Sequence, residues 1–177
     1  MSKYRAVMLV IDMKKRDLIN NLQVVNATAI LRRVGSGMRK SVVDFRAEVV
    51  ETIAETMVRH VFFRCSVSMI YYVPNLAGNY EKAFYNRTIN FCTYLRQPFT
   101  DRILKMIYDH LSQRGNLPKR CPIATGTYTF NTSLEGVHLP GFFPESRFRL
   151  DVNFQRTRPR NDLIFRSRWF GELRRDS

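Results

Sequence analysis

The chain has 177 residues, of which 45% are hydrophobic and 12% aromatic, and its 29 Lys and Arg against 15 Asp and Glu give a formal net charge of +14. This composition excludes disorder over most of the length and suffices for the core of one domain. The longest apolar run, residues 6–11, is far shorter than the roughly 20 residues of a membrane-spanning helix. The positive charge makes polyanions candidate partners.

The first 21 residues are predicted to be an atypical or truncated N-terminal segment. Their apolar run is shorter than the roughly 7–15 residues of a signal peptide, and no small-residue cleavage site follows it. A single compact domain is predicted over residues 22–173, followed by a basic tail over residues 174–177.

Seven strands are predicted, and the strongest signal lies at residues 148–154. There Phe148, Leu150, Val152 and Phe154 alternate with polar residues, the period of two expected when one strand face is buried. Enrichment in Val, Ile, Thr, Tyr and Phe between polar breaks predicts six further strands at residues 22–31, 42–51, 57–67, 68–73, 126–131 and 163–170. Residues 43–63 also allow a helix, because glutamates interrupt their apolar residues at mixed spacing. Seven short strands favour an all-β sandwich.

One main helix is predicted over residues 101–114. Its apolar residues recur at i, i+3, i+4 and i+7, at Leu104, Ile107, Tyr108 and Leu111. Thr100 is predicted to cap the helix, and Asp101 suits the positive end of the helix dipole. Gly115 is predicted to end the helix in a left-handed conformation, and Pro118 prevents its continuation.

The three cysteines, Cys65, Cys92 and Cys121, leave the compartment open. Unpaired buried thiols are expected in a reducing compartment, and a disulfide in an oxidising one. The Asn-x-Ser/Thr pattern of N-glycosylation occurs three times, at Asn26, Asn86 and Asn131. These sites favour the oxidising alternative.

From residue 84 onward the motifs follow a distinctive order. FYNRTINFCTYL at residues 84–95 precedes the helix, GNLPKRCPIATGTYTF at 115–130 follows it, and LPGFFPESRFRLDVNF at 139–154 leads to a last strand with Trp169. This order resembles a large family of small secreted insect proteins of unknown function, abundant in flies and similar to ML-type lipid-recognition proteins such as the ganglioside activator. The resemblance covers roughly residues 22–173 and is specific over the second half.

The family pattern falls on Asn86, Thr88, Phe91, Cys92, Asn116, Leu117, Pro118, Cys121, Pro122, Leu139, Pro140, Pro144 and residues 148–154. The resemblance implies a disulfide between Cys92 and Cys121, with the main helix between them. It implies an immunoglobulin-like β-sandwich, ML-like, whose two sheets can enclose an apolar pocket. It also implies secretion, although the chain departs from the family at its start, where members carry a signal and often further cysteines. Cys65 is left as a free thiol or as the partner of a cysteine elsewhere.

No catalytic motif, metal site or cofactor is indicated. The three histidines lie far apart in the sequence, at His60, His110 and His138. We interpret His110 as an ordinary surface or boundary residue of the helix. Residues 35–37 are interpreted as a hairpin turn, because a phosphate loop requires glycine directly before its lysine and Arg39 precedes Lys40. No pair of acidic residues forms a recognisable glycosidase motif.

The predicted function is therefore that of a secreted, non-enzymatic protein that binds an apolar small molecule or lipid, with a chemosensory or pheromone-related role among those the resemblance suggests. The predicted pocket residues are Phe63, Leu104, Ile107, Leu111, Phe148, Leu150, Phe154 and Phe165. The same inward positions serve equally as a filled core.

A membrane receptor is a further candidate partner, and no specific nucleic acid is expected. Arg147 and Arg149 are predicted to lie on the wet face of their strand, where they suit an anionic head group or solubility alone. The alternative function is binding of polyanions through surface charge.

Overall fold

The computed structural model describes residues 9–35, 40–58, 61–137, 139–157 and 162–175. The strands in these residues are β1 (Leu9–Asn20), β2 (Val25–Val34), β3 (Lys40–Val49), β4 (Thr56–Val58), β5 (Val61–Tyr72), β6 (Ala83–Asn90), β7 (Gly126–Ser133), β8 (Ser146–Thr157) and β9 (Asp162–Arg175). The helices are α1 (Phe91–Arg96) and α2 (Arg102–Ser112), with short 3-10 turns at Pro98–Thr100 and Leu134–Gly136.

Two antiparallel sheets form a sandwich, as predicted. The larger sheet has the order β1-β9-β8-β5, and both β4 and β6 pair with the far edge of β5. The smaller sheet has the order β2-β3-β7. Apolar residues of both sheets pack together in the core, and the helices join them from one side. No helix in the described part of the chain is long and apolar enough to cross a membrane.

The predicted alternation at residues 148–154 is confirmed as the centre of β8. Val152 is paired with Met69 of β5 on one side and with Ser167 of β9 on the other. Because paired residues of antiparallel strands share a face, these inward positions form a continuous surface across three strands.

The sequence did not predict β1 or β6. In β1 the buried residues Leu9, Ile11 and Met13 precede a run of charged residues, which hides the strand in the sequence. An edge strand tolerates such a run because one of its sides faces water. The domain therefore includes residues 9–20, and Arg174 and Arg175 belong to β9.

The pairing of β5 and β3 with their neighbouring strands decides two further strand predictions. Residues 57–67 and 68–73 do not form two successive strands, because β5 runs unbroken from Val61 to Tyr72 with β8 beside it. The strand interpretation of residues 43–63 holds for β3, which pairs with both β2 and β7. β2 and β3 pair directly across the predicted hairpin, whose residues 36–39 lie outside the described part.

The predicted main helix is α2, but both of its predicted ends need correction. Asp101, rather than Thr100, caps the helix: its carboxylate accepts a hydrogen bond from the Leu104 amide at 2.8 Å. Gly115 is not left-handed. It pairs with Phe130 of β7, and a Cβ at position 115 would overlap the Thr129 carbonyl oxygen and lie 2.8 Å from the Phe130 Cα. Glycine is required there by the close approach of two backbones.

The disulfide between Cys92 and Cys121 is present, with a sequence separation of 29 and 5.6 Å between the Cα atoms. It ties the first turn of α1 to the segment that follows α2.

Cys65 in β5 is buried and unpaired, and burial raises the pKa of its thiol to about 12. A thiol of that pKa is almost wholly protonated at neutral pH and is a poor nucleophile.

An apolar cavity as the candidate functional site

A cavity of about 210 Å³ lies between the two sheets. The larger sheet contributes Met13, Val67, Met69, Leu150, Val152, Phe154, Ile164, Phe165, Ser167 and Trp169 to its walls. The smaller sheet contributes Val25, Val43, Phe45, Ala47, Val49, Tyr128 and Phe130. The helices and loops contribute Ile53, Phe91, Leu104, Ile107, Tyr108, Leu111, Leu117, Pro118, Ile123 and Leu134.

The inward residues at the centre of β8 show that this space is not filled by side chains. Leu150, Val152 and Phe154 point between the sheets, yet each is only half-buried. Phe148, on the same face of the same strand, is 2% exposed. Protein interiors are normally packed to the density of organic crystals, so unfilled space at the centre of a core needs a reason.

A smaller cavity of about 70 Å³ adjoins the main one. The two cavities share the side chains of Met13, Met69, Ile107, Leu134 and Leu150. Because Met and Leu side chains change rotamer at low cost, these shared walls can rearrange around a ligand.

The predicted pocket residues are distributed over both cavities. Leu104, Ile107, Leu111, Leu150, Phe154 and Phe165 line the main cavity. Phe148 lines the smaller one. Phe63 lies in β5, but its side chain is outside the described part of the structure. The sequence missed the wall from the smaller sheet, since Val25 to Ala47 carry an ordinary alternation that gives no sign of the space they face.

Helix α2 closes one side of the sandwich and is held at several points. At its start, Arg87 of β6 forms an ion pair with the cap Asp101, with 3.1 Å between Nε and Oδ2. In its middle, the Tyr108 hydroxyl donates to the Pro118 carbonyl oxygen at 2.5 Å. Near its end, His110 Nε2 lies 2.7 Å from the carbonyl oxygen of Ser133. The helix is thus anchored to elements of both sheets.

The cavity walls offer a ligand almost no polar group. The Tyr108 hydroxyl is already engaged with Pro118, and burial raises its pKa, so it stays protonated. Ser167 directs its hydroxyl to the Val152 carbonyl oxygen at 3.5 Å. An occupant of this space is therefore held by apolar contact.

Arg147 and Arg149 lie on the outer face of β8, away from the cavity. The guanidinium of Arg149 lies 4.0 Å above the ring of Tyr72 and 3.3 Å from the carboxylate of Asp151. The same carboxylate accepts two hydrogen bonds from Arg168, at 2.9 and 3.1 Å. These contacts make Arg149 part of a structural network on the outside of the larger sheet.

Other side chains that could bind a metal or be modified are dispersed over the molecule. Within the described residues, no three His, Cys, Asp or Glu side chains converge as metal ligands would. His60 and His138 lie outside the described part. The asparagines of the three glycosylation patterns, Asn26, Asn86 and Asn131, are all exposed on strands, and the Asn131 side chain also donates a hydrogen bond to Asp44.

Residues 65–150 match the family model "Protein of unknown function (DUF1091)". The chain is similar to that family from β5 into β8, a stretch that contains both disulfide cysteines, α2 and the segment between α2 and β7. No curated protein matches the chain.

Proposed function

We propose that this protein is a secreted, non-enzymatic carrier or sensor that holds an apolar small molecule or lipid between its two sheets. The observation that carries the proposal is the cavity of about 210 Å³ with almost wholly apolar walls. The resemblance to ML-type lipid-recognition proteins supports the same conclusion.

The size of the cavity limits the ligand. An engineered apolar cavity of about 150 Å³ stays dry and binds benzene. The main cavity exceeds that volume, and the adjoining cavity of about 70 Å³ brings the pair close to the lower end of ordinary ligand pockets, roughly 300 Å³. We therefore expect one acyl chain or one compact ring system, rather than a lipid with several chains.

Apolar burial supplies enough free energy for such a ligand. Each buried methylene contributes about 0.8 kcal/mol, so a chain of moderate length offsets the cost of association without a strong polar contact. Both sheets and α2 supply the walls, so a ligand is surrounded on several sides.

Secretion is proposed on two structural features. The disulfide between Cys92 and Cys121 is typical of an oxidising compartment. Asn26 and Asn86 are exposed, so both are open to glycosylation. A membrane receptor fits a secreted carrier as a further partner.

The proposal is tested by filling the cavity. Val152 lies at the centre of β8 and lines the cavity, so Val152→Phe places a ring in the empty space. We expect the affinity for the neutral fluorophore phenylnaphthylamine to fall at least about tenfold, with a thermal midpoint unchanged or raised, because the ring fills space instead of overpacking a dense core. Fluorescence titration and thermal unfolding measure the two quantities.

Val50→Phe is the matched control, because Val50 is 55% exposed and does not line the cavity. It makes the same chemical change and should leave binding intact. Equal probe affinity in the Val152→Phe variant and the wild type, with both proteins folded, would show that the space between the sheets is not a binding site.

A further inference from the structure

The segment between α2 and the disulfide, residues 115–121, contributes to the wall of the cavity. Leu117 and Pro118 line the cavity. Lys119 and Arg120 follow directly and are exposed. Since consecutive Cα atoms are about 3.8 Å apart, the two cations begin within one or two residues of the apolar wall.

This segment is held in place at both ends. At its start, the Asn116 side chain accepts a hydrogen bond from the Thr129 amide at 2.7 Å and donates one to the Thr127 carbonyl oxygen at 3.0 Å. At its end, Cys121 is bonded to Cys92. Between the two ends, the Pro118 carbonyl oxygen accepts from Tyr108. The backbone that carries the two cations is therefore preorganised.

Lys119 and Arg120 belong to the described cations that are not neutralised by a carboxylate. No carboxylate of the described residues forms an ion pair with either of them. By contrast, the arginines in ion pairs are Arg32, Arg33, Arg87, Arg96, Arg149, Arg156, Arg168, Arg174 and Arg175. Two unneutralised cations on a fixed backbone beside an apolar cavity are arranged to receive an anion.

We propose that the ligand is an anionic amphiphile, whose apolar part occupies the cavity and whose negative group is bound at the edge by Lys119 and Arg120. This inference rests on the proposed function and specifies the ligand class. The cavity has no free polar group for a charged head, so the head must stay at the surface. Arg suits a carboxylate or phosphate through its planar pair of donors, and Lys adds a flexible point charge.

The test compares two probes that share a chain and differ in the head, dodecanoate and dodecanol, at concentrations below micelle formation. Each displaces phenylnaphthylamine from wild-type protein and from the Lys119→Gln, Arg120→Gln double variant. We expect the double variant to bind dodecanoate about tenfold more weakly, the sum of two partly exposed ion pairs, and dodecanol with unchanged affinity. Inorganic phosphate without a chain should displace nothing.

A second double variant, Arg16→Gln with Arg147→Gln, removes the same charge at exposed positions of β1 and β8 and should leave both affinities unchanged. Equal weakening of dodecanoate by both double variants would assign the effect to overall charge and overturn the inference. Unchanged dodecanoate binding in the Lys119→Gln, Arg120→Gln variant would also overturn the inference, while the carrier function would stand. A loss of dodecanol binding in that variant would overturn the inference as well. Absence of phenylnaphthylamine binding by the wild type would remove the carrier function itself, and this inference with it.

Discussion

At the scale of single residues, Asp12 is a buried charge with partners on four strands. Its buried carboxylate forms ion pairs with Lys14, with Arg33 at 3.8 Å and with Arg174 at 3.2 Å, and accepts a hydrogen bond from Ser41 at 2.5 Å. These partners lie on β1, β2, β9 and β3, so one carboxylate connects the two sheets. Burial opposes its ionisation, but the hydrogen bonds from Lys14 and Ser41 and the charges of Lys14 and Arg33 outweigh burial and hold its pKa below 3.8.

We predict that Asp12 contributes stability that is lost in acid. Because its pKa is lower in the folded state, its contribution is complete above the unfolded value near 3.8 and disappears as the pH falls through the folded value. Asp12→Asn should lower the free energy of unfolding by about 1–3 kcal/mol at neutral pH, and the difference from wild type should shrink below about pH 4. Urea unfolding over a pH series measures this.

The control for Asp12 is Asp17→Asn on the same strand, where the side chain is 51% exposed and its partner Lys15 lies 3.6 Å away. That change should have little effect at any pH, since exposed ion pairs contribute little. A difference between Asp12→Asn and wild type that stayed constant from neutral to acidic pH would contradict the assignment.

At the scale of elements, α2 is one of the parts of the cavity wall that belong to neither sheet. Its apolar face supplies Leu104, Ile107 and Leu111 to the cavity. Its anchors are the ion pair of Asp101 with Arg87, the contacts of Tyr108 and His110, and the disulfide that closes the chain around it. The disulfide thus stabilises the helical wall as well as the fold.

We predict that the Cys92→Ser, Cys121→Ser double variant lowers the free energy of unfolding by about 3 kcal/mol, because its unfolded chain is no longer restricted by a loop of 29 residues. Urea unfolding measures the change. Cys65→Ala, which leaves the disulfide intact, is the control and should cost less. Alkylation of the denatured, unreduced wild type should modify Cys65 alone; modification of all three cysteines would show that the disulfide is absent from the protein.

At the scale of the whole molecule, the chain carries a net charge of +14, and in the described residues its cations are interspersed with carboxylates. Many arginines are neutralised by carboxylates, as Arg32 is by Asp44 and Arg156 by Glu51. On the outer face of the larger sheet, Asp151 accepts from Arg168 and pairs with Arg149. General binding of polyanions depends on cations free to contact phosphates or sulfates, so it stays the alternative to the carrier proposal and needs its own test.

We predict different salt dependences for the two functions. Binding of the neutral probe phenylnaphthylamine should be unchanged between about 0.1 M and 0.5 M NaCl, because apolar burial is not screened by salt. Retention on heparin should disappear over the same range through counterion uptake. Tight, salt-sensitive binding of heparin or RNA by glycosylated protein that carries no extractable lipid and binds no apolar probe would favour the polyanion function instead.

The sequence by itself determined the elements whose signals are local. The alternation at residues 148–154 reflects the two faces of one strand, and the spacing of Leu104, Ile107 and Leu111 reflects one face of one helix. The disulfide between Cys92 and Cys121 followed from the resemblance of motifs. Each of these signals needs only neighbouring residues or a familiar order of motifs.

Only the tertiary structure decided the rest, because those properties depend on what lies opposite each residue. Gly115 lies close to the backbone of β7 and does not end the helix in a left-handed conformation. The charged strand β1 forms an edge of the larger sheet beside β9. The sequence pattern of the inward residues of β8 is the same whether the facing sheet fills the space or leaves it open. The sequence therefore could not predict the cavity. Lys119 and Arg120 directly follow residues of the cavity wall, whereas Arg147 and Arg149 lie on the outer face of β8, because the folded chain places the 115–121 segment beside the cavity and turns that face away from it.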